Sequence, residues 1–333
     1  MPKPFTVCEL GSSVPPAVQG GVVAIGNFDG VHLGHQRVLS EAVNIALQSN
    51  VPALAMTFEP HPRTVFRPDH PVFRLTDVVM KARVLEAMGL DGMIVCPFDR
   101  DFAATEAEDF VSEILQVQLN AGHVVTGFNF QFGKNRRGTP EFLKSSGANN
   151  SFGVSIVERL AGQASDESED DTISSSRIRR LLGDGDVNRA GQLLGYRWLV
   201  SGTVQHGRKM GRDLGFPTAN LTLAPEARLA HGVYAVRLRR ASGELFDGVA
   251  SYGRRPTFDD GAPLLETFIF DFDGDLYGEE VTVSLFDWIR GEEKFESVDE
   301  LIAAMNKDTD LARDFMTSAP PLSALDARLN FQN

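Results

Sequence analysis

Two histidines follow a glycine-rich turn near the start of the chain. His32 and His35 lie in the segment 26–35, GNFDGVHLGH, between the apolar run Val22–Ile25 and a stretch with helical periodicity. A strand, a glycine-rich turn and a helix start together present backbone N–H groups and the positive end of a helix to a phosphate. Side chains three residues apart share one helix face, so both imidazoles can reach the same anion. The segment therefore predicts nucleotide binding.

Three further segments of the first half carry polar side chains that suit a nucleotide. His61 lies between two prolines, Asn129 lies among alternating phenylalanines, and Arg179 lies one turn past three consecutive serines. Hydroxyls and N–H groups at a helix start, with a guanidinium nearby, suit a polyphosphate. Each segment also has a structural interpretation: His61 as a turn residue, the serines as a helix cap, and the phenylalanines as the buried face of a strand. Only the combination, in this order, is specific.

The second half contains its own run of glycines and basic residues, followed by a hydroxyl and an amide. The segment 207–221 is GRKMGRDLGFPTANL. These groups suit phosphate and a hard cation. The same composition is typical of a glycine-rich hairpin between strands, and for the segment alone that interpretation stays open.

The first half must position its motifs on alternating elements. Up to about residue 160, short apolar runs alternate with amphipathic stretches. This alternation is typical of a parallel sheet with helices on both faces, which binds ligands at the carboxyl ends of its strands. The turn at 26–35 follows the first such strand. The predicted strands are 22–25, 53–58, 93–95 and 124–127, and the predicted helices are 41–48, 78–88 and 108–119.

The residue composition and the length of the apolar runs change in the second half. From about residue 197, glycine and proline become frequent and the apolar runs become short, which is typical of a small antiparallel barrel. The acidic segment 162–171 predicts a solvated loop. The expected domains are 1–188 and 189–333, with the boundary inside a helical stretch between Leu182 and Tyr196. The predicted strands are 199–204, 233–238, 267–270 and 281–285, followed by helices over 297–305 and 310–315.

Composition limits the classes of function. The 333 residues suffice for two modest domains, and the net charge of −13 argues against a general nucleic-acid or membrane-surface binder. Cys8 and Cys96 are far apart and lack the spacing of metal ligands, so both are expected to pack as small apolar residues in a reducing compartment. No segment has the pattern of a secretion signal or the apolar length of a membrane span. We expect a cytoplasmic protein with no nucleic-acid, membrane or obligate protein partner.

The motifs of the first half resemble those of the nucleotidyltransferase superfamily, His-x-Gly-His and Ile-Ser-Ser-x-x-x-Arg. His32 and His35 match the first, and the segment 173–179 matches the second. The resemblance implies a Rossmann-like domain in which a phosphate attacks the α-phosphorus of ATP and pyrophosphate leaves, without a covalent intermediate. It also implies catalytic roles for both histidines and Arg179. The residues that it implies for ATP phosphates are Gly26, Asn27, Phe28, Gly34, Ser175 and Ser176.

The motifs of the second half resemble the riboflavin kinase domain. The matching segments are GFPTAN at 215–220, GVYA at 232–235, PTF at 256–258, Glu266, DFDGDLYG at 271–278 and IRGEEKF at 289–295. Both modules occur in the order found in the bifunctional bacterial riboflavin kinase/FMN adenylyltransferases, also called FAD synthetases, and together they cover nearly the whole chain. The chain is therefore identified as a member of that family.

The family resemblance implies two reactions with ATP as co-substrate and Mg²⁺ as cofactor. The second module phosphorylates riboflavin to FMN, with Glu266 as the base and Thr218 and Asn220 holding Mg²⁺ and phosphate oxygens. The first module converts FMN to FAD. The remaining implied residues are Gly207, Gly211, Arg212 and Gly215 for ATP, and Phe58, Phe128 and Asn129 for flavin. Glu266 as an exposed strand residue, and Phe58 and Phe128 as core residues, remain alternatives.

Some positions depart from the family pattern. Phe268 stands where many relatives have histidine, Ser251 where asparagine is usual, and Thr172 where some relatives have arginine. None is a residue assigned to chemistry. Two other functions stay open: a kinase whose first module is inactive or acts on another nucleotide, and a flavin carrier without turnover. The intact His32, His35 and Arg179 argue against the first, and Glu266 argues against the second.

Overall fold

The computed structural model describes residues 4–11, 14–158, 173–206, 216–253 and 263–332. The predicted acidic loop at 162–171 lies outside these residues. The chain forms two compact units, Met1–Val72 with Asp77–Ile173, and Phe73–Thr76 with Ser174–Asn333.

The first unit contains a parallel sheet, as predicted, and this sheet has six strands. Its strand order is β1-β4-β3-β2-β5-β6, so β2 lies between β3 on one side and β5 on the other. The strands are β1 (Thr6–Glu9), β2 (Val22–Ile25), β3 (Ala53–Glu59), β4 (Gly92–Pro97), β5 (His123–Gly127) and β6 (Gly153–Val157). Every residue of β2 is buried, as in a parallel sheet covered on both faces. Sheets of this kind bind ligands at the carboxyl ends of neighbouring strands whose connections run in opposite directions, and the strand order makes these strands β2 and β5.

Helices connect these strands. The helices are α1 (Leu33–Ser49), α2 (Pro62–Phe66), α3 (Val78–Ala87), α4 (Arg100–Ala103), α5 (Ala107–Asp109), which continues as the π-helical segment Phe110–Gln118, and α6 (Pro140–Asn150). The alternating phenylalanines at 128–132 form no strand. They follow β5 in a loop, in which the backbone N–H of Phe132 donates to Gly138 O at 3.0 Å.

The second unit contains a six-stranded antiparallel sheet in the order β7-β12-β9-β10-β11-β8. Just past β7, Gln205 N donates to Asn220 O of β8 at 2.9 Å, which brings the two edges of the sheet together into the predicted barrel. The strands are β7 (Leu199–Thr203), β8 (Thr218–Thr222), β9 (Gly232–Arg240), β10 (Leu245–Gly253), β11 (Leu264–Ile269) and β12 (Glu280–Gly291).

The described residues of this unit also form the helices α7 (Ser175–Gly183), α8 (Val187–Leu194), α9 (Val298–Ser318) and α10 (Ala324–Asn330). The prediction of separate helices over 297–305 and 310–315 is wrong, because no glycine or proline interrupts this segment and α9 runs through it. The expected boundary at 188/189 lies within α8, whereas the compact units divide at 173/174. This division comes earlier because α7 and α8 pack on each other and α8 packs on β12.

Candidate active sites

The turn after β2 has an unusual backbone. Phe28, Gly30 and Val31 have φ values of 45°, 79° and 37°. Positive φ is uncommon for residues with a side chain and is an outlier for a β-branched residue such as Val31. Phe28 and Val31 are both fully buried, and their packing holds the turn. A Cβ at Gly26 would lie 3.0 Å from the Phe28 ring, so a larger residue would have to displace that ring.

The two predicted histidines lie together at the start of α1. His32 is the N-cap residue, and its Nδ1 accepts a hydrogen bond from His35 N at 3.3 Å. The two rings stack with their centroids 3.7 Å apart, and the Phe28 ring meets His35 edge-on. A Cβ at Gly34 would lie 3.2 Å from the His32 ring. The imidazoles therefore stand at the positive end of a 17-residue helix, where an anion is stabilised.

The surroundings of His35 favour its neutral form. Burial, the adjacent His32 and the Lys81 ammonium lower the pKa of His35 well below its ordinary value. Its Nδ1 is buried and has no hydrogen-bond partner among the described residues. A neutral imidazole has one N–H donor and one acceptor, so it can donate to a phosphate oxygen without carrying charge.

Sequence reasoning missed Lys81, whose ammonium is buried beneath the turn. Its Nζ donates to Asn27 O at 3.0 Å, to Thr57 Oγ1 at 2.8 Å and to Glu59 Oε1 at 3.0 Å. The signal was available in the sequence: Lys81 lies on the same face of the predicted helix 78–88 as Val84 and Leu85, which belong to the core. A lysine on an apolar helix face requires partners inside the protein.

The other predicted residues of the first unit differ in accessibility. Phe58 is 8% exposed and packs against Phe98 with centroids 5.9 Å apart, which favours its core interpretation. Phe128 is 43% exposed, and Asn129 is also exposed, at the carboxyl end of β5. His61 caps α2 by accepting from Arg63 N at 3.1 Å, in agreement with its interpretation as a turn residue.

The serine-rich element begins α7 in the second unit. Ser174 is the N-cap residue, accepting from Arg177 N at 3.3 Å, so Ser175 and Ser176 occupy the first turn. Arg179 Nε donates to Phe73 O at 2.6 Å, which orients its guanidinium. The cap interpretation therefore holds for Ser174, while Ser175 and Ser176 are not the cap.

The barrel pairs the predicted kinase residues across two strands. Glu266 of β11 lies opposite Asn220 of β8, and Thr218 lies opposite Phe268. Directly opposed residues share a face of the sheet, with Cβ atoms about 5 Å apart. Asn220 is buried, and its Oδ1 has no hydrogen-bond partner in the described part of the chain. The predicted ATP residues Gly207, Gly211, Arg212 and Gly215 lie outside the described residues.

Comparison with known proteins assigns both units. The family model of FAD synthetase matches residues 14–177, and that of riboflavin kinase matches residues 194–316. The bifunctional riboflavin kinase/FMN adenylyltransferase of Haemophilus influenzae is 40% identical over 301 residues, which cover 90% of this chain and 96% of the relative. The chain belongs to this family of bifunctional enzymes. The enzyme of Listeria monocytogenes is 39% identical, with 88% of this chain and 92% of the relative covered. The enzyme of Escherichia coli K12 is 36% identical, with 91% of this chain and 95% of the relative covered.

A solved structure is also similar over most of the chain. It is described as a macrolide-efflux protein from Streptococcus pneumoniae, and it is 33% identical with a TM-score of 0.78, covering 92% of this chain and 99% of that one. In the part of the present chain that the structure describes, no helix has the length and apolar character needed to cross a membrane.

Family membership establishes the reactions predicted from the motifs. The protein uses ATP to phosphorylate riboflavin to FMN in the riboflavin kinase region, and it adenylylates FMN to FAD with release of pyrophosphate in the FAD synthetase region. The FAD synthetase match ends within α7, which is part of the second compact unit.

Proposed function

We propose that FMN forms where Glu266 and Asn220 oppose each other on β11 and β8. The riboflavin 5′-oxygen attacks the γ-phosphorus of ATP, the bond from that phosphorus to the β,γ-bridging oxygen breaks, and ADP leaves. Glu266 accepts the proton of the hydroxyl as the new P–O bond forms. A carboxylate fixed on a barrel strand keeps its position relative to the metal-binding pair, which is what phosphoryl transfer requires.

Asn220 and Thr218 suit Mg²⁺, which prefers oxygen ligands. The buried Oδ1 of Asn220 has no partner among the described residues, and the Thr218 hydroxyl lies on the same strand face. When bound, Mg²⁺ neutralises charge on the ATP phosphates. The unpartnered Oδ1 supports this assignment, since a buried acceptor without a hydrogen bond is otherwise costly.

FAD forms by a different displacement, which we assign to the residues of the turn, α1 and α7. An oxygen of the FMN phosphate attacks the α-phosphorus of ATP, the α,β-bridging bond breaks, and pyrophosphate leaves. The attacking phosphate carries no proton to remove, so catalysis consists of alignment and charge stabilisation. His32, His35 and the N–H groups at the start of α1 bind ATP phosphates, while Ser175, Ser176 and Arg179 bind the departing pyrophosphate.

The flavin ring is assigned to the exposed side chains after β5. Phe128 offers an aromatic face and Asn129 offers an amide for the polar edge of the ring. Phe58 is the weaker of the proposed flavin contacts, because most of its surface is packed in the core. A cytoplasmic location, and action without nucleic acid, membrane or an obligate protein partner, stay predictions.

The observation that carries this assignment is the pairing of Glu266 with Asn220, together with the stacked histidines at the start of α1. Two variants test it reciprocally. We expect Glu266→Gln to lower FMN formation roughly 10²–10⁴-fold, the usual contribution of a general base. We expect His35→Asn to lower FAD formation from supplied FMN roughly 10²-fold, since the shorter side chain withdraws the imidazole donor from the reacting phosphates. Chromatography of riboflavin, FMN and FAD measures both rates.

Each variant serves as the control of the other. Glu266→Gln leaves adenylylation of supplied FMN unchanged, and His35→Asn leaves FMN formation unchanged. Glu296→Gln is a matched control, because Glu296 is exposed before α9. An equal loss of both activities in either variant contradicts the assignment of separate sites. Wild-type protein that accumulates FMN without FAD supports a kinase with an inactive first module, and one that binds flavin without turnover is a carrier.

A further inference from the structure

The ammonium of Lys81 ties the phosphate-binding turn to the neighbouring strand. Asn27 O accepts from Lys81 Nζ at 3.0 Å and from Thr57 Oγ1 at 2.9 Å, and Thr57 itself accepts from the same ammonium at 2.8 Å. Lys81 and Thr57 are 1% and 0% exposed. These three hydrogen bonds form a closed triangle beneath the turn. The ammonium and the hydroxyl are buried, whereas Asn27 is an exposed residue whose main-chain oxygen both of them reach. Losing a bond to Asn27 O therefore leaves a buried donor of Lys81 or Thr57 without that partner.

The triangle acts where the turn departs from ordinary backbone geometry. Asn27 directly precedes Phe28, and Phe28 and Val31 both have positive φ values. Backbone in such sparsely populated regions persists only when its surroundings determine it. The two bonds to Asn27 O fix the peptide group at which the left-handed segment begins.

A lysine at this position has a cost that packing alone does not explain. Burying an ammonium is unfavourable unless it is paired and hydrogen-bonded, and a volume-matched apolar residue would satisfy the core as well. Here the charge meets Glu59, which lies at the end of β3 and is 12% exposed in its side chain. The same charge also reaches His35, whose pKa it helps to lower.

We propose that Lys81 is a positioning residue for FAD synthesis, which holds the turn 26–31 in its ATP-binding conformation through Asn27 O. The inference rests on the proposed role of the turn and His35 in binding ATP. Without the ammonium, the turn adopts the competent conformation only part of the time. The apparent affinity for ATP then falls in proportion to the fraction of molecules whose turn is in the competent conformation, and saturating ATP restores the rate.

The test is the kinetics of FAD formation from FMN in the full chain carrying Lys81→Met. We expect the KM for ATP to rise about tenfold or more and kcat to change less than about threefold, as in a loss of pre-organisation. A merely structural role lowers the fraction of folded enzyme, which reduces apparent kcat and leaves KM unchanged. Lys144→Met is the matched control, since Lys144 is exposed on α6 and undergoes the same chemical change.

Two further variants keep the test decisive if Lys81→Met does not fold. Thr57→Val removes one bond to Asn27 O, and Glu59→Gln removes the charge of the ion pair while leaving both bonds to Asn27 O. The positioning role predicts a several-fold rise in the KM for ATP for Thr57→Val and a near-normal KM for Glu59→Gln. A structural role predicts instead that Glu59→Gln impairs the enzyme more than Thr57→Val does, because breaking a buried ion pair is the greater perturbation.

The outcomes separate this inference from the proposed site. If His35→Asn lowers FAD formation but Lys81→Met and Thr57→Val leave the KM for ATP unchanged, the positioning role is wrong and the site assignment stands. If His35→Asn has no effect either, both are wrong. A Lys81→Met variant with normal KM and a kcat reduced beyond its folded fraction also overturns this positioning role, since the loss then lies in the chemical step and not in ATP binding.

Discussion

The stacked rings of His32 and His35 influence where each of them carries a proton. His32 Nδ1 accepts the backbone N–H of His35, so in the neutral ring the proton resides on Nε2. Each ring faces the other at 3.7 Å, and a proton on one disfavours a proton on its neighbour. The arrangement therefore keeps the pair from charging together in the free enzyme, and an incoming phosphate is met by N–H donors.

This arrangement predicts a low pKa for His35 in the ligand-free protein. The pKa should lie below about 6.5, because burial, His32 and Lys81 all disfavour the imidazolium. Histidine NMR titration measures it, with the His35→Asn spectrum identifying the resonance. The unfolded chain takes up this proton near pH 6.5, so the contribution of His35 to stability is complete above that pH, falls on acidification, and levels off below the folded pKa. A pKa at or above the ordinary value contradicts the structure.

At the scale of elements, the consecutive serines at the start of α7 have different roles, which the sequence alone does not distinguish. Ser174 makes the capping bond to Arg177 N, whereas Ser175 and Ser176 lie within the helix. A cap stabilises the helix, and a hydroxyl in the first turn is left to a ligand or a local partner. The geometry thus assigns stability to one serine and, in our proposal, catalysis to the next.

Alanine variants of the two serines should therefore differ. Ser174→Ala should destabilise the second unit by about 1 kcal/mol, the usual value of a cap, while leaving the KM for ATP in FAD synthesis near normal. Ser175→Ala should destabilise that unit less than Ser174→Ala does and should slow FAD synthesis. Differential scanning calorimetry and the chromatographic assay measure these effects. Equal effects of both variants on activity would show that the helix start, and not the Ser175 hydroxyl, carries the role.

For the molecule as a whole, a buried carboxylate anchors the end of the chain to the second unit. Asp326 of α10 is 0% exposed and accepts from Arg197 N, Leu322 N and Asn330 Nδ2 at 2.8–2.9 Å, as well as from the Arg197 guanidinium. Arg197 is 3% exposed and also lies over the Phe286 ring. Removing the carboxylate leaves a buried, uncompensated guanidinium.

Asp326→Ala should therefore lower the unfolding temperature of the second unit and reduce its free energy of unfolding by about 3–5 kcal/mol. FMN formation should fall as that unit unfolds. FAD formation should fall with it, because α7, which carries Arg179, belongs to the same unit by its contacts. Assays of both reactions across the unfolding transition test this. FAD synthesis that survives the unfolding of the barrel would contradict the proposed role of Arg179.

Local patterns in the sequence determined much of this protein. The apolar runs predicted most of the strands around both sites, and the segment 26–35 predicted an anion-binding helix start, since periodicity and turn chemistry act over a few residues. The order of the motifs identified both reactions. The two edge strands of the parallel sheet, β1 and β6, and the barrel strands β8 and β10 were not predicted, because their pairing depends on distant segments.

Only the tertiary structure decided which residues act together and which are buried. It placed the Lys81 ammonium under Asn27, put Phe58 in the core while leaving Phe128 exposed, and joined α7 to the barrel. The physical reason is that a side chain's burial and hydrogen-bond partners come from segments far away in sequence. Lys81 and Thr57 are 24 residues apart, and no local pattern reports that their polar atoms meet.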